Sequence, residues 1–324
     1  MNSIQTVTGT CAPAALGKTL MHEHLLVGWG GWDFDWPAPK FDRAAAKSYC
    51  VTRLAELMDL GVQTFVDPCP MDIGRDVTFM AEVSEATGMK IVCATGLYKE
   101  DLGNGSYFKQ RPIEDIVELY LHELRVGIGT TGVRAGLIKC ATGLGKVTAY
   151  EETLLRAASR AHRLTGVPIT THTDGGTMGK EQLDILASEG VDLRNVIVGH
   201  SCGASDLRVH TEMLDRGATL GFDRFGLEFF HPDKLRLAAL IGLLGVGYER
   251  QLVLSHDFVQ CWAGRFPHVP PEALKLVENW SATHLFRNII PKLLAAGVAQ
   301  KTIDTMLIDN PRDFFSRSEP AAAA

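Results

Sequence analysis

Val62-Gln63-Thr64-Phe65-Val66-Asp67 is a short run rich in β-branched and aromatic residues, and a segment of helical period follows it at about Arg75 to Thr87. The same alternation recurs downstream, where Lys90-Ile91-Val92-Cys93-Ala94-Thr95 leads to a helical period near Ile113–Val126. A β-rich run followed by a helical segment is the pattern of a βα unit, whose strands pair in parallel. This stretch therefore predicts an α/β fold on a parallel sheet.

The alternation extends in both directions to eight βα units. The predicted strands and the helices that follow them are Thr19–His24 with Arg43–Leu60, the two units above, Val133–Lys139 with Tyr150–Leu164, Val167–His172 with Gly179–Glu189, Val196–His200 with Asp206–Arg216, Ala218–Phe222 with Pro232–Leu244, and Leu252–His256 with Ala282–Ala296. Eight such units predict a (β/α)8 TIM barrel. We expect a single domain over residues 1–320 and a disordered Ala-rich tail at 321–324. An open doubly wound sheet is the alternative, but it requires a phosphate-binding glycine loop after an early strand.

Composition argues against several classes of partner. The formal net charge is −6, the pI is near 6.0, and the 32 Lys and Arg residues are dispersed, so we expect no nucleic-acid partner. No apolar run reaches the roughly 18 residues that span a membrane, and the N-terminus lacks the pattern of a signal peptide. Seven scattered cysteines without a C-x-x-C motif fit a reducing cytoplasm.

Polar residues end the predicted strands. In a TIM barrel these positions meet at one face, where the active site lies. Such a group at the end of a buried strand is costly unless it is paired. Together they predict a metal centre, formed by His22, His24, Lys139, His172, His200 and Asp257.

The residue types suit a metal site. Imidazole and carboxylate ligands are typical of Zn²⁺, with Co²⁺, Mn²⁺ or Fe²⁺ as alternatives. His22 and His24, two apart in a strand, would point to the same face. Burial would lower the pKa of Lys139, whose neutral amine can add CO₂ and form a carbamate that bridges two ions. Two bridged metals would activate a hydroxide.

These residues resemble the phosphotriesterase-like family of the binuclear amidohydrolase superfamily, and most closely its phosphotriesterase-like lactonases. The resemblance covers about residues 5 to 315. It rests on the metal ligands and on the segments Thr19–Leu25, Asp72–Asp76, Ala94–Tyr98, Ile197–His200, Phe222–Gly226 and Ser255–Asp257.

The resemblance implies a role for each ligand. His22 and His24 would bind the buried metal together with Asp257, and the more exposed metal would be bound by His172 and His200. Carboxylated Lys139 would bridge the two ions. Asp257 would also take the proton of the bridging hydroxide, as expected of a carboxylate that contacts the nucleophilic water.

Two further residues bear on the substrate. Tyr98 occupies the position at which lactonases of this group carry a tyrosine and phosphotriesterases carry a tryptophan. Arg224 also resembles the lactonase form of the loop after strand 7. We therefore expect a lactonase. The alternatives are a phosphotriesterase, an amide hydrolase on the same binuclear site, and a metal-holding binding protein without activity.

Two loops have no assigned role. Residues 29–37 are rich in aromatic side chains, which would line an apolar pocket or cover a dimer surface. Residues 258–278 are predicted to form a long loop at the active-site face. Relatives are commonly dimers, so we expect a homodimer that acts on a small lactone or ester.

Overall fold

The centre of this computed structural model is a nearly closed barrel of eight parallel strands, counted over the described residues 3–103 and 105–317. The strands are β1 (Ile4–Thr6), β2 (Gly9–Cys11), β3 (Lys18–Leu20), β4 (His24–Val27), β5 (Val62–Asp67), β6 (Lys90–Gly96), β7 (Leu137–Thr142), β8 (Ile169–Thr173), β9 (Val196–Val198), β10 (Thr219–Phe222), β11 (Leu252–Leu254) and β12 (Val259–Trp262). In the barrel, each strand is hydrogen-bonded to the next in the order β3, β5, β6, β7, β8, β9, β10 and β11. The predicted TIM barrel is confirmed; the predicted tail at 321–324 lies outside the described residues.

Helices follow the strands and cover the barrel. They are α1 (Arg43–Asp59), α2 (Val77–Thr87), α3 (Ile113–Arg125), α4 (Ala149–Thr165), α5 (Gly179–Ser188), α6 (Leu207–Asp215), α7 (Asp233–Gly245), α8 (Pro271–Leu274), α9 (Ile290–Ala295), α10 (Gln300–Asp304) and α11 (Asn310–Ser316). Short 3₁₀ turns lie at Pro13–Ala15, Trp32–Phe34, Met71–Ile73, Phe108–Gln110, Leu193–Asn195, Ser201–Gly203, Glu249–Gln251 and Lys275–Val277, and π-helical turns at Leu285–Ile289 and Thr305–Asp309. Among the described residues, no helix has the length and apolarity needed to cross a membrane.

Local sequence explains where several helices begin. The side chains of Asp42 and Asp76 accept backbone N–H groups at the starts of α1 and α2. Thr148 and Glu151 form a reciprocal capping box at α4, which satisfies donors that the helix itself cannot pair. Buried aliphatic residues on the helices pack against the outer face of the strands in one continuous core.

The barrel closes at a seam between the segments that follow β3 and β11. Asp257 donates its backbone N–H to the carbonyl of His22 at 3.1 Å, and His24 donates to the carbonyl of Phe258 at 2.9 Å. Beyond this point β12 pairs in parallel with β4, with Val259 opposite His24. The seam therefore joins the first and last barrel units at the active-site end.

The predicted strand Thr19–His24 is wrong as a single element. β3 ends at Leu20, and β4 begins at His24 after a short irregular stretch that contains His22. Period-two alternation therefore does not relate His22 to His24. The backbone leaves the strand here because its hydrogen bonds pass from β5 to the closing segment after β11.

Other predicted boundaries also shift. The strand predicted at Val133–Lys139 begins at Leu137 and continues to Thr142, so Lys139 lies inside β7. The predicted loop at 258–278 contains β12 and α8. The helix predicted at Ala282–Ala296 starts as a π-helical turn before α9.

One glycine-rich segment matches the spacing of a dinucleotide-binding loop but not its context. Gly127-Ile128-Gly129-Thr130-Thr131-Gly132 connects the end of α3 to β7. A phosphate-binding loop of this spacing runs from a strand into a helix, so that the helix N-terminus faces the phosphate. This segment runs in the reverse order and does not support a doubly wound fold.

Candidate metal centre

Lys139 and His22 meet inside the barrel. The Nζ atom of Lys139 lies 3.2 Å from Nε2 of His22, and both side chains are buried. Because β7 and β3 are not neighbours in the sheet, this contact passes through the barrel interior. The predicted ligands from opposite walls are thus brought together.

Asp257 faces three imidazole rings. Its Oδ1 atom lies 3.2 Å from Nε2 of His24 and 3.6 Å from Nε2 of His22. Its Oδ2 atom lies 3.7 Å from Nε2 of His200. The ligand atoms of His22, His200 and Asp257 all lie within 4.8 Å of one another, which is close enough for one ion to contact all three.

His172 completes the set. Its ring packs edge-on against that of His200, with 4.6 Å between the ring centroids. The Nε2 atom of His172 lies 2.7 Å from Oδ1 of Asp174, and its Nδ1 atom lies 3.3 Å from the hydroxyl of Tyr98. All six residues predicted as ligands therefore converge on one buried region.

Two carboxylates that the sequence analysis missed orient these rings. Asp67, at the end of β5, lies 3.1 Å from Nδ1 of His24. Asp223, just after β10, hydrogen-bonds with Nδ1 of His200 at 2.9 Å and lies 3.2 Å from Nδ1 of His22 without the geometry of a hydrogen bond. Such partners fix the tautomer of a metal-binding imidazole and direct its other nitrogen to the ion. Their positions at strand ends are the signal that could have identified them.

Asp67 belongs to this orienting set and not to a separate ion site. His24, Asp67 and Cys69 also lie close enough to hold an ion. However, Oδ2 of Asp67 accepts the backbone N–H of Leu25, and Oδ1 accepts that of Cys69 as well as facing His24. Three of the about four lone pairs of this carboxylate are therefore already used by the protein.

Burial lowers the pKa of several candidate ligands, whereas in His24 the hydrogen bonds with Asp257 and Asp67 outweigh burial and hold the pKa well above its ordinary value. Burial lowers the pKa of Lys139 to about 8 and that of His22 to about 4. Burial likewise lowers the pKa of His172 to about 3, although Asp174 opposes the shift. Neutral imidazoles have a free lone pair for a metal, and a neutral amine can react with CO₂.

The donor set fits divalent first-row metal ions. Four imidazoles, one carboxylate and one amine are packed together with little access to water. So many polar groups in a buried space are costly unless a cation compensates them. Nitrogen and oxygen donors in this mixture are those that Zn²⁺ and similar ions prefer.

Arg224 and Tyr98 lie at the edge of the candidate centre. Nε of Arg224 donates to Oδ2 of Asp257 at 2.8 Å, and its guanidinium lies 5.0 Å from the ring centroid of Phe230. The Tyr98 side chain is almost fully buried and contacts His172 through its hydroxyl. Both residues therefore contact ligands of the candidate centre.

Two of the candidate ligands have a left-handed backbone. His200 has φ of 59° and Asp257 has φ of 54°, a region that side-chain-bearing residues rarely adopt. Both lie just beyond their strands, β9 and β11. Glu23 secures the second of them, because its carboxylate accepts the backbone N–H groups of His256 and Phe258 on either side of Asp257.

A line of aromatic side chains leads from the centre to the surface. Trp29 lies 6.3 Å from Tyr98 and 6.0 Å from Trp262, measured between ring centroids. Trp262 in turn lies 5.8 Å from the more exposed Phe266. The two loops without an assigned role thus contribute to one apolar wall beside the candidate site.

Comparison with known proteins places the chain in a family. The phosphotriesterase family model matches residues 2–315. The aryldialkylphosphatase of Saccharolobus solfataricus is 35% identical over 304 residues, which cover 93% of this chain and 95% of that protein.

Solved structures agree. The organophosphorus hydrolase of Deinococcus radiodurans is 42% identical, with a TM-score of 0.94 over 97% of this chain and 96% of that one. A variant of a phosphotriesterase-like lactonase from the same organism is also 42% identical, with a TM-score of 0.93 over 96% and 99% of the two chains. The chain therefore belongs to the phosphotriesterase family and is a hydrolase of that family.

Proposed function

We propose that this protein is a metal-dependent lactonase that opens a lactone ring by adding water across the ester bond. The observation that carries the proposal is the contact of Arg224 with Asp257, next to the hydroxyl of Tyr98 on His172. The similarity to a phosphotriesterase-like lactonase at 42% identity supports the same activity.

The ligand arrangement supports two metal ions. His22, His24 and Asp257 would hold one ion, and His172 and His200 the other. Carboxylated Lys139 would bridge them. Zn²⁺ is our first assignment, with Co²⁺, Mn²⁺ or Fe²⁺ as alternatives. Two divalent cations would polarise the substrate carbonyl and lower the pKa of a bound water.

The side chains around the ions have separate roles in proton transfer and substrate binding. Asp257 accepts the proton of the attacking water and returns it to the ring oxygen when the carbon–oxygen bond breaks. Arg224 keeps Asp257 ionised by its positive charge. The Tyr98 hydroxyl donates a hydrogen bond toward the substrate oxygen, and the aromatic wall excludes water from the acyl part.

Activity on a substrate panel tests the proposal. The metal-loaded enzyme should hydrolyse acyl-homoserine, γ- or δ-lactones with a kcat/KM at least about tenfold above that for paraoxon-like triesters, a difference of about 1.4 kcal/mol in transition-state binding. Asp257→Asn is the control for activity from the assigned site. Absence of turnover on every lactone would overturn the proposal.

Phosphotriester hydrolysis is the second candidate. The names of the Saccharolobus and Deinococcus proteins, aryldialkylphosphatase and organophosphorus hydrolase, favour it. Both reactions direct negative charge onto an oxygen near the metals, so the same centre serves either. A higher kcat/KM on triesters than on lactones would establish this alternative. Preferential cleavage of a small amide would indicate an amidase, and metal binding without any turnover a binding protein.

Assembly and location complete the proposal. Phe34 and Trp36, which are 73% and 85% exposed, offer apolar surface for a second copy, so we expect a homodimer. Light scattering during size-exclusion chromatography measures the mass of the assembly, and the mass of a monomer would refute the expected homodimer. All seven cysteines are free thiols, which supports a reducing, cytoplasmic location.

A further inference from the structure

Lys99 and Asp174 form a short chain of contacts that ends on His172. We propose that both are positioning residues: they hold the His172 ring so that Nδ1, and not Nε2, faces the second metal ion. The inference rests on the proposed binuclear centre, but it concerns metal binding and does not depend on the identity of the substrate.

His172 is held in the opposite sense to the other rings. Asp67 and Asp223 contact the Nδ1 atoms of His24 and His200, which leaves Nε2 facing the centre. Asp174 instead contacts Nε2 of His172, at 2.7 Å. A carboxylate accepts and cannot donate, so this contact places the ring proton on Nε2 and leaves the Nδ1 lone pair for a metal.

Asp174 also differs from the other two carboxylates in how it is anchored. Asp67 and Asp223 are held by backbone N–H groups, those of Leu25 and His200 among them. The free oxygen of Asp174, Oδ2, is held at 2.5 Å by the Nζ atom of Lys99. Lys99 therefore holds the carboxylate of Asp174 in place, as backbone N–H groups hold those of Asp67 and Asp223.

The burial of Lys99 supports this role. Its side chain is only 6% exposed, whereas that of Asp174 is 23% exposed. A buried ammonium is costly unless it is paired, and its other partner, Asp101 at 3.2 Å, is mostly exposed. The ion pair with Asp174 thus compensates Lys99 and prevents the carboxylate from turning into the metal centre.

The loop that contains Lys99 contacts the His172 ring in two ways. The hydroxyl of Tyr98 lies 3.3 Å from Nδ1 and 3.5 Å from Nε2 of His172, and the adjacent Lys99 reaches Nε2 through Asp174. This loop follows β6, while His172 lies on β8, so the contacts bridge two barrel units. The geometry of one predicted ligand is therefore set by a neighbouring loop.

Metal affinity tests the proposal without relying on activity. Apo protein would be titrated with Zn²⁺ against a chelator, giving separate dissociation constants for the two ions. Asp174→Ala should weaken the second ion about 10- to 100-fold and leave the first within about threefold. Asp174→Asn retains an acceptor oxygen and should restore most of the affinity. Lys99→Met should give an intermediate loss.

A spectroscopic measurement separates positioning from general stabilisation. In apo protein labelled with ¹⁵N-histidine, the wild type should show His172 protonated at Nε2, and Asp174→Ala should show a mixture of tautomers. Lys180→Met removes a lysine from an exposed pair with Glu212 and is the matched control. It should change neither the tautomer nor the affinity.

Two results would overturn the proposal. One is an Asp174→Ala protein that binds both ions as wild type does and keeps Nε2 protonated. The other is equal weakening of both ions in Asp174→Ala and Asp174→Asn, which indicates loss of structure. An absence of lactone turnover, by contrast, would refute the proposed activity and leave these binding results unaffected.

Discussion

Arg224 donates from Nε to Oδ2 of Asp257 across 2.8 Å and joins the loops that follow the seventh and eighth barrel strands. Burial raises the pKa of Asp257, but its contacts with His200, the positive charge of Arg224 and the hydrogen bond with His24 outweigh burial and hold the pKa well below its ordinary value. The carboxylate is thereby kept ionised, as a general base requires.

Replacing Arg224 should change the pH dependence of activity. In Arg224→Met the pKa of Asp257 rises because a nearby positive charge is lost. A base with a higher pKa becomes protonated at higher pH, so the acidic limb of the kcat/KM profile should move upward. Arg265→Met, which removes an exposed contact with Asp35, is the control. An unchanged pH profile in Arg224→Met would show that Arg224 does not control the pKa of the general base.

Removing the base itself should abolish most turnover. Asp257→Asn keeps the shape of the side chain but cannot accept a proton, and we expect kcat to fall about 10²- to 10⁴-fold. Thermal unfolding should still be cooperative, because the backbone N–H of Asp257 remains bonded to His22. Wild-type turnover by this variant would refute the assigned base.

Lys139 should make metal loading depend on pH and CO₂. Its neutral amine is the form that adds CO₂, and burial lowers its pKa to about 8. Reconstitution of apo protein at fixed dissolved CO₂ should therefore become faster as pH rises toward about 8 and level off above it. Metal content after dialysis measures the result. Lys139→Met should bind less metal at every pH, and equal loading of the two proteins would exclude a bridging role.

Tyr98 should matter more for lactones than for triesters. Tyr98→Phe removes the hydroxyl and preserves the buried ring, so the fold should be little affected. Loss of one hydrogen bond to the substrate should lower kcat/KM on lactones by up to about tenfold. Parallel measurements on a triester provide the comparison. Equal losses of kcat/KM on both substrates would indicate that Tyr98 only packs in the apolar wall beside the site.

Glu23 should contribute to stability more than its position between two ligands suggests. Its carboxylate is fully buried and accepts both N–H groups of His256, backbone and ring, and the backbone N–H of Phe258. Glu23→Ala leaves these donors unpaired and should lower the free energy of unfolding by about 3 kcal/mol or more. Urea denaturation measures this loss. Glu23→Gln, which retains one acceptor, should lose less.

Periodicity located most elements to within a few residues. Val62–Asp67 forms β5 as predicted, and the helix predicted at Arg43–Leu60 is observed at Arg43–Asp59. These segments are long enough for the hydrophobic pattern to be unambiguous. The prediction of one continuous strand around His22 was wrong because the backbone there forms hydrogen bonds with residues near the other end of the chain. The local sequence pattern does not reveal such bonds.

Residue type and approximate strand position were enough to identify the six candidate ligands. Side chains that orient them were harder to predict, because Asp174 resembles an ordinary loop carboxylate in sequence and the strand-end position of Asp67 does not by itself reveal its contact with His24. The contact of Lys99 with Asp174 joins residues 75 apart, and nothing in their local spacing signals it.

The sequence by itself determined the number of βα units, the fold class and the residues available to bind metal, because these follow from short-range hydrophobic period and side-chain chemistry. Tertiary structure alone decided the closure of the barrel at His22 and Asp257, the hydrogen bonds of Glu23 on either side of the left-handed Asp257 and the pairing of Lys99 with Asp174. Each of these depends on hydrogen bonds between segments distant in the chain, and such bonds override local conformational preference where strands end.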